Sequence, residues 1–218
     1  MSLRTDLIGL WESKSERDKQ VSIGASNLSN PCAKCLAQDM LGVPEVSNPF
    51  VMGAKIGTAV HMYLEEEVLK QHPDWHAEQK MILGEIPGYG TVGSTADAYS
   101  PEHKAVIDFK TTTREKLKKI RETFDLMEGQ VQAYVAQTHL YAMGKVKQGH
   151  PVEQIAIFFI PRDSVTLDDL WVKIIPYDPE YAQHVWDRGV ELWKYLEDGG
   201  DIKDLPSDEH CFTCNYYS

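Results

Sequence analysis

The chain has 218 residues, 42% of them hydrophobic, and 22 Lys and Arg set against 33 Asp and Glu give a formal net charge of -11. This length and apolar content suit a single α/β domain with its own core, read here as 1–218 with the core over about 50–176. The charge excludes a protein that coats nucleic acid with its whole surface while allowing a local basic patch. No run of about 18 apolar residues occurs and MSLRTDLIGLWESKSERDKQ mixes both signs, which excludes a membrane span or signal peptide and predicts a soluble, cytoplasmic protein.

After that polar opening, SNLSNPCAKCLAQDMLG reads as a helix capped by Ser26 or Asn27 and ended by Gly42 before Pro44. FVMGAKIGTAVHMYLEEEVLK is the next, with Met52, Ile56, Val60, Tyr63 or Leu64, and Leu69 at helical spacing until HPDW stops it. AEQKMIL, TVGSTADAY and KAVIDFK read as strands, followed by a long helix from about Asp125 to Gly144. QIAIFFIPR and DLWVKIIPY are two further strands, and PEYAQHVWDRGVELWKYLEDGG is a last amphipathic helix. This order predicts a central mixed β-sheet flanked by helices, with no repeat and no linker.

The strand AVIDFK carries a carboxylate and an ammonium where burial alone would place neither. Alternation puts Ala105, Ile107 and Phe109 on one face, toward the core, and Val106, Asp108 and Lys110 on the other. With a turn over Ser100 to His103, Tyr99 faces Lys104 and Asp97 faces Val106, so Asp97 joins the Asp108 face. Two carboxylates roughly 5 to 8 Å apart repel unless a hard cation bridges them. Bound Mg²⁺ or Mn²⁺ removes that conflict and activates water, with Lys110 placed to orient a nucleophile or stabilise developing charge. A half-exposed strand with a surface Asp and Lys is the commoner explanation of DxK alone. Asp97 in the same hairpin favours the cation site.

His61 borders the apolar stripe of its helix one turn after Gly57, whose missing side chain permits close approach to a sheet, and its imidazole is a third candidate ligand. Gln130 with Tyr134 and Gln137 with Tyr141 repeat an i, i+4 pair seven residues apart, which puts all four on one stripe of their helix. Arg114, Lys116, Lys118, Lys119 and Arg121 follow the DxK strand directly, as a solvated helix face or a contact surface for a polyanion. The four cysteines form two CxxC pairs, Cys32 with Cys35 and Cys211 with Cys214, a metal pattern far stronger than four scattered thiols. A tetrathiolate site would staple segments about 26–42 and 197–218 together, closing a loop of about 175 residues against chain entropy.

With His61 in GTAVH, Asp97 in GSTADAY, Asp108 and Lys110 in VIDFKTT, Gln137 and Tyr141 in QTHLY, and cysteines at both ends, the chain resembles the PD-(D/E)xK nuclease superfamily. Within it the likeness is to the RecB-like and CRISPR-associated-type exonucleases with a four-cysteine metal site, the AddB-like iron-sulfur group. WVKIIPYDPEYA and CFTC match the family's C-terminal strand, helix and cysteines, so the likeness covers nearly the whole chain. It implies a restriction-endonuclease-like core and a divalent-metal-dependent DNA nuclease, an exonuclease of DNA processing or recombination in a bacterial or phage setting. Mg²⁺ or Mn²⁺ would be held by His61, Asp97, Asp108 and the Phe109 carbonyl, with Lys110 catalytic. Gln137 and Tyr141 would support the site, and Gln130 with Tyr134 fits the QxxxY spacing equally. Arg114, Lys116, Lys118 and Lys119 would contact DNA, and the likeness leaves room for a homo-oligomer or a recombination partner protein. The cysteines would hold a 4Fe-4S cluster, with Zn²⁺ as the alternative because relatives place one cysteine early and three late whereas this chain has two and two. A non-catalytic DNA-binding module that keeps the fold is the competing function, and hydrolysis of a small phosphoester a third.

Overall fold

The computed structural model describes residues 3–4, 23–44, 51–208, 211 and 214. Most of the polar opening segment and of the last ten residues lies outside the described residues. Cys211 and Cys214 lie within them. Five strands form one sheet in the order β1-β2-β3-β4-β5: β1 His76–Ile86, β2 Gly90–Ser100, β3 Ala105–Thr112, β4 Gln154–Pro161 and β5 Trp171–Pro176. All neighbours are antiparallel except β3 and β4. A parallel pair needs a long crossover, and here the chain between them forms two helices. The mixed, helix-flanked α/β sheet expected from the sequence is therefore present.

Among the described residues the helices are α1 Ala25–Leu28, α2 Ala33–Met40, α3 Val51–Gln71, α4 Arg114–Thr123, α5 Gly129–Lys147 and α6 Pro179–Glu197. None is long and apolar enough to cross a membrane. The single helix expected around the first cysteines is two, because Pro31 pushes Asn30 out of helical backbone and breaks the run. Its start also differs. Gly24 is the N-cap of α1, and the Asn27 side chain accepts from its amide at 3.0 Å. The predicted end holds: Gly42 turns left-handed at φ 65, and the Gly42 and Val43 amides return to the Asp39 and Gln38 carbonyls. The basic run after β3 is helical as α4, capped by the Thr113 side chain accepting from the Lys116 amide.

The helices sort by face. Val106, Ile155, Ile157 and Phe159 pack with Val131, Val135 and Leu140 of α5 and with Val185 and Trp186 of α6 in one core. The face expected to be polar, that of Val106 and Asp108, is thus the more deeply covered. On the opposite face, Ala105 and Phe109 are buried as expected and Ile107 is only half-buried. There α3 covers the sheet incompletely, leaving an apolar groove of about 470 Å³ between Leu64, Val68 and strands β3 to β5. Ile56, Val60 and Leu64 of the predicted α3 stripe are partly buried, whereas Met52, Tyr63 and Leu69 are exposed. Gly57 does what its missing side chain allows, since a Cβ there would stand 3.2 Å from Thr111 Oγ1 of β3.

Candidate active site

The turn between β2 and β3 occupies Pro101–Lys104, one residue later than expected, and Lys104 takes a left-handed φ of 46. The observed register pairs Tyr99 with Val106 and Ala98 with Ile107, a shift of two residues from the expected pairing. A shift of two preserves the face of every side chain, so Asp97 remains on the side of Asp108, each one residue beyond the last pair. Pairing between β2 and β3 ends at Ala98 and Ile107. Beyond that point β2 continues along β1 and β3 along β4, opening a fork in the sheet with Asp97 and Asp108 at its crotch.

Each prong aims its carboxylate differently. Asp97 Oδ2 accepts from the Phe109 amide at 2.6 Å, while Oδ1 lies 3.2 Å from His61 Nδ1. His61 reaches it from α3 and rests edge-on against the Phe109 ring, centroids 5.9 Å apart. Burial pushes the His61 pKa down, but the hydrogen bond and charge of Asp97, with Asp108 behind it, outweigh burial and hold it above its usual value. Asp108 is 1% exposed, and its carboxyl is pushed up to about 7, first by burial and further by Asp97, with Lys110 opposing.

Lys110 follows on the same face. Its ammonium lies 3.0 Å from Asp108 Oδ1 and 2.9 Å from Oδ2, donates to Gln137 Oε1 at 2.8 Å, and stands 5.1 Å from the centre of the Tyr134 ring. Gln137 Nε2 donates in turn to the Tyr141 hydroxyl at 2.5 Å. Of the two QxxxY pairs, Gln137 and Tyr141 both line the cleft. From the earlier pair only Tyr134 reaches Lys110. The i, i+4 stripe on α5 thus meets the β3 face as a relay from carboxylate through ammonium and amide to phenol.

Glu78 was not legible in the sequence. Ala77 pairs with Ala98 and Gln79 with Ala96, which sets Glu78 across from Asp97, and its backbone is kinked to φ 47. One ligand atom each of His61, Glu78 and Asp97 lie within 4.8 Å of one another, a cluster suited to a cation. Asp108 stands apart from that trio, turned to Lys110. Its Oδ2 is buried without a well-aligned hydrogen bond and has the Lys110 ammonium 2.9 Å away. Two carboxylates and an imidazole, with the Asp108 carboxylate beside them, are an oxygen-rich, nitrogen-bearing set that could hold a metal ion. The fork opens into a cleft of about 1230 Å³ lined also by Ser94, Lys80 and Lys147.

Arg114, Lys116, Lys118 and Lys119 lie on exposed positions of α4, and none of them lines this cleft. Lys119 pairs with Glu115 at 3.0 Å within the helix. The two cysteine pairs do meet. Cys32 and Cys35 are buried, and the sulfurs stand 3.2 Å apart for Cys32 and Cys214, 3.4 Å for Cys35 with each of Cys211 and Cys214, and 3.5 Å for Cys211 and Cys214.

No protein-family model and no curated protein matches the sequence. Solved structures match the fold. An alkaline exonuclease from Laribacter hongkongensis superposes with a TM-score of 0.53 over 84% of this chain and 90% of its own at 12% identity. A phage-related exonuclease from Haemophilus somnus 129PT gives 0.53 over 81% and 94% at 14% identity. The chain shares the fold of these exonucleases.

Proposed function

We propose that the protein is a divalent-metal-dependent DNA nuclease, an exonuclease of DNA processing, working at the fork between β2 and β3. The observation that carries this reading is the Lys110 ammonium, held between the Asp108 carboxylate and Gln137 beside the cluster of His61, Glu78 and Asp97. The shared fold with proteins described as exonucleases, one of them phage-related, supports it.

In this reading His61, Glu78 and Asp97 would hold Mg²⁺ or Mn²⁺, with Asp108, which the ion would share with Lys110, and the Phe109 carbonyl as further donors. A bound divalent ion supplies Lewis-acid stabilisation of the phosphoryl oxygens and lowers the pKa of a coordinated water. Lys110 donates to the attacking water or to a non-bridging phosphoryl oxygen, and Asp108 with Gln137, itself braced by Tyr141, fixes where the ammonium sits. Asp97, fixed by the Phe109 amide and His61, cannot swing out of the site. Lys80 and Lys147 give the cleft positive charge within a chain of net charge -11.

The test is degradation of end-labelled single-stranded and duplex DNA with Mg²⁺, with Mn²⁺ and with chelator. Loss of label that needs metal, and that Lys110→Ala reduces by on the order of a hundredfold or more without weakening DNA binding, is the expected result. Bound DNA that is never cut under either metal would hand the fold to a non-catalytic binding module. DNA affinity is expected to fall with salt. Replacing Lys116, Lys118 and Lys119 together by Gln should reduce the salt slope by roughly one for each phosphate that a lysine no longer neutralises. An unchanged slope assigns the DNA path to the cleft lysines and away from α4.

A further inference from the structure

We infer that the four cysteines form a site for a single tetrahedral ion, Zn²⁺, and not for a four-iron cluster. The two occupants differ in size. Four thiolates around one ion at about 2.3 Å have sulfurs at the corners of a tetrahedron whose edge is about 3.8 Å. In a four-iron cluster each thiolate binds a different iron at a corner of the cube and points outward, so the sulfurs stand roughly 6 Å apart. Here four of the six sulfur separations run from 3.2 to 3.5 Å, and all four sulfurs lie within 4.8 Å of one another. Expansion by a few tenths of an ångström admits zinc. A cluster needs the cysteines to retreat to nearly twice their present separation.

The surroundings oppose that retreat. Cys32 and Cys35 are 0% and 1% exposed. Cys32 is the N-cap of α2, whose first turn carries Cys35, so the pair moves only if the helix moves. Arg188 of α6 pins the preceding backbone by donating to the Leu28 and Asn30 carbonyls at 2.6 Å and to Pro31 at 3.4 Å. Its Nε is buried and has no acceptor. The guanidinium is therefore both a brace for the loop that carries Cys32 and the nearby cation that offsets the net negative charge of four thiolates around a divalent ion. The sequence pattern agrees, since two CxxC pairs are the usual arrangement of a closed structural zinc site. Such a site staples α2 to the C-terminal segment without redox chemistry.

The experiment uses the full chain, expressed with zinc and iron both supplied and purified without oxygen. Metal and acid-labile sulfide are measured, then the metal is stripped and the protein refilled in parallel with Zn²⁺, with Co²⁺, and with Fe²⁺ plus sulfide. The expected results are about one zinc per chain with iron and sulfide near zero, and a cobalt form with the intense visible bands of tetrahedral thiolate coordination. The iron and sulfide sample should develop no cluster absorption. About four irons and four sulfides per chain, either as purified or after refilling, would overturn the inference. So would a stripped protein that gives no tetrahedral cobalt spectrum. These readouts do not depend on nuclease activity.

Discussion

Asp108→Asn is expected to lower DNA turnover by on the order of a thousandfold while leaving the thermal midpoint of the metal-free protein unchanged or higher. The two halves of that expectation have the same cause. Asp108 is 1% exposed, and its carboxyl is pushed up to about 7, chiefly by burial and secondly by Asp97. A carboxylate kept in such a place works against the fold, so the neutral amide of nearly equal volume relieves the fold of a buried charge. The amide retains the Oδ1 that accepts from Lys110 at 3.0 Å, so the relay to Gln137 and Tyr141 stays assembled. What is lost is the negative charge that draws a divalent ion and a cationic Lys110 to the same point. Turnover measured with saturating Mg²⁺, beside a denaturation curve in chelator, checks both halves. Wild-type turnover in the variant would reduce Asp108 to a structural partner of Lys110, and a clearly lowered midpoint would mean that the ion pair stabilises more than burial costs.

How much of this site was legible in the sequence depends on which interactions are local. The Asp108 and Lys110 face follows from strand alternation, and the Gln137 and Tyr141 pair from helical spacing, both of which any short segment carries within itself. His61 became visible through Gly57, whose contact with Thr111 needs only one turn of helix beside a strand. The placement of Asp97 on the same face as Asp108 survived an error of two in the expected register because an even slip keeps faces, whereas a slip of one would have lost the site. Glu78 was beyond reach. Nothing in AEQKMIL marks that carboxylate until β1 is laid against β2 and the backbone kinks at φ 47. The basic run behaves in the converse way: adjacency to Lys110 in sequence suggested adjacency in space, yet the chain turns into α4 and carries those cations away from the cleft. The deep burial of Asp108 is likewise a product of α5 docking, which no pattern within AVIDFK encodes.

Lys145→Met is expected to stabilise the protein by about 1–3 kcal/mol, an effect opposite to the usual outcome of changing a fully buried residue. Lys145 is 0% exposed near the end of α5, and burial holds its pKa below the ordinary lysine value. Among the described residues no carboxylate lies within ion-pair distance of it. Its Nζ donates to Gln79 Oε1 at 3.0 Å and stands 5.7 Å from the centre of the Tyr99 ring. One hydrogen bond to a neutral amide and a distant ring contact return less than the cost of removing an ammonium from water. Methionine fills the same unbranched volume without charge, and Gln79, itself exposed, can give its carbonyl to water. The pH dependence has a definite sign. The folded-state pKa lies below the unfolded value near 10.5, so as pH rises toward that value the folded lysine loses its proton first and the penalty fades. Wild type therefore gains on the variant with rising pH, and the difference between them is largest at neutral pH and below. Urea unfolding of both proteins at pH 7 and pH 9.5 measures this. A variant less stable than wild type at pH 7, with a gap that does not change with pH, would show that the bond to Gln79 of β1 and the contact with Tyr99 of β2 hold α5 to the sheet more firmly than the buried charge loosens it.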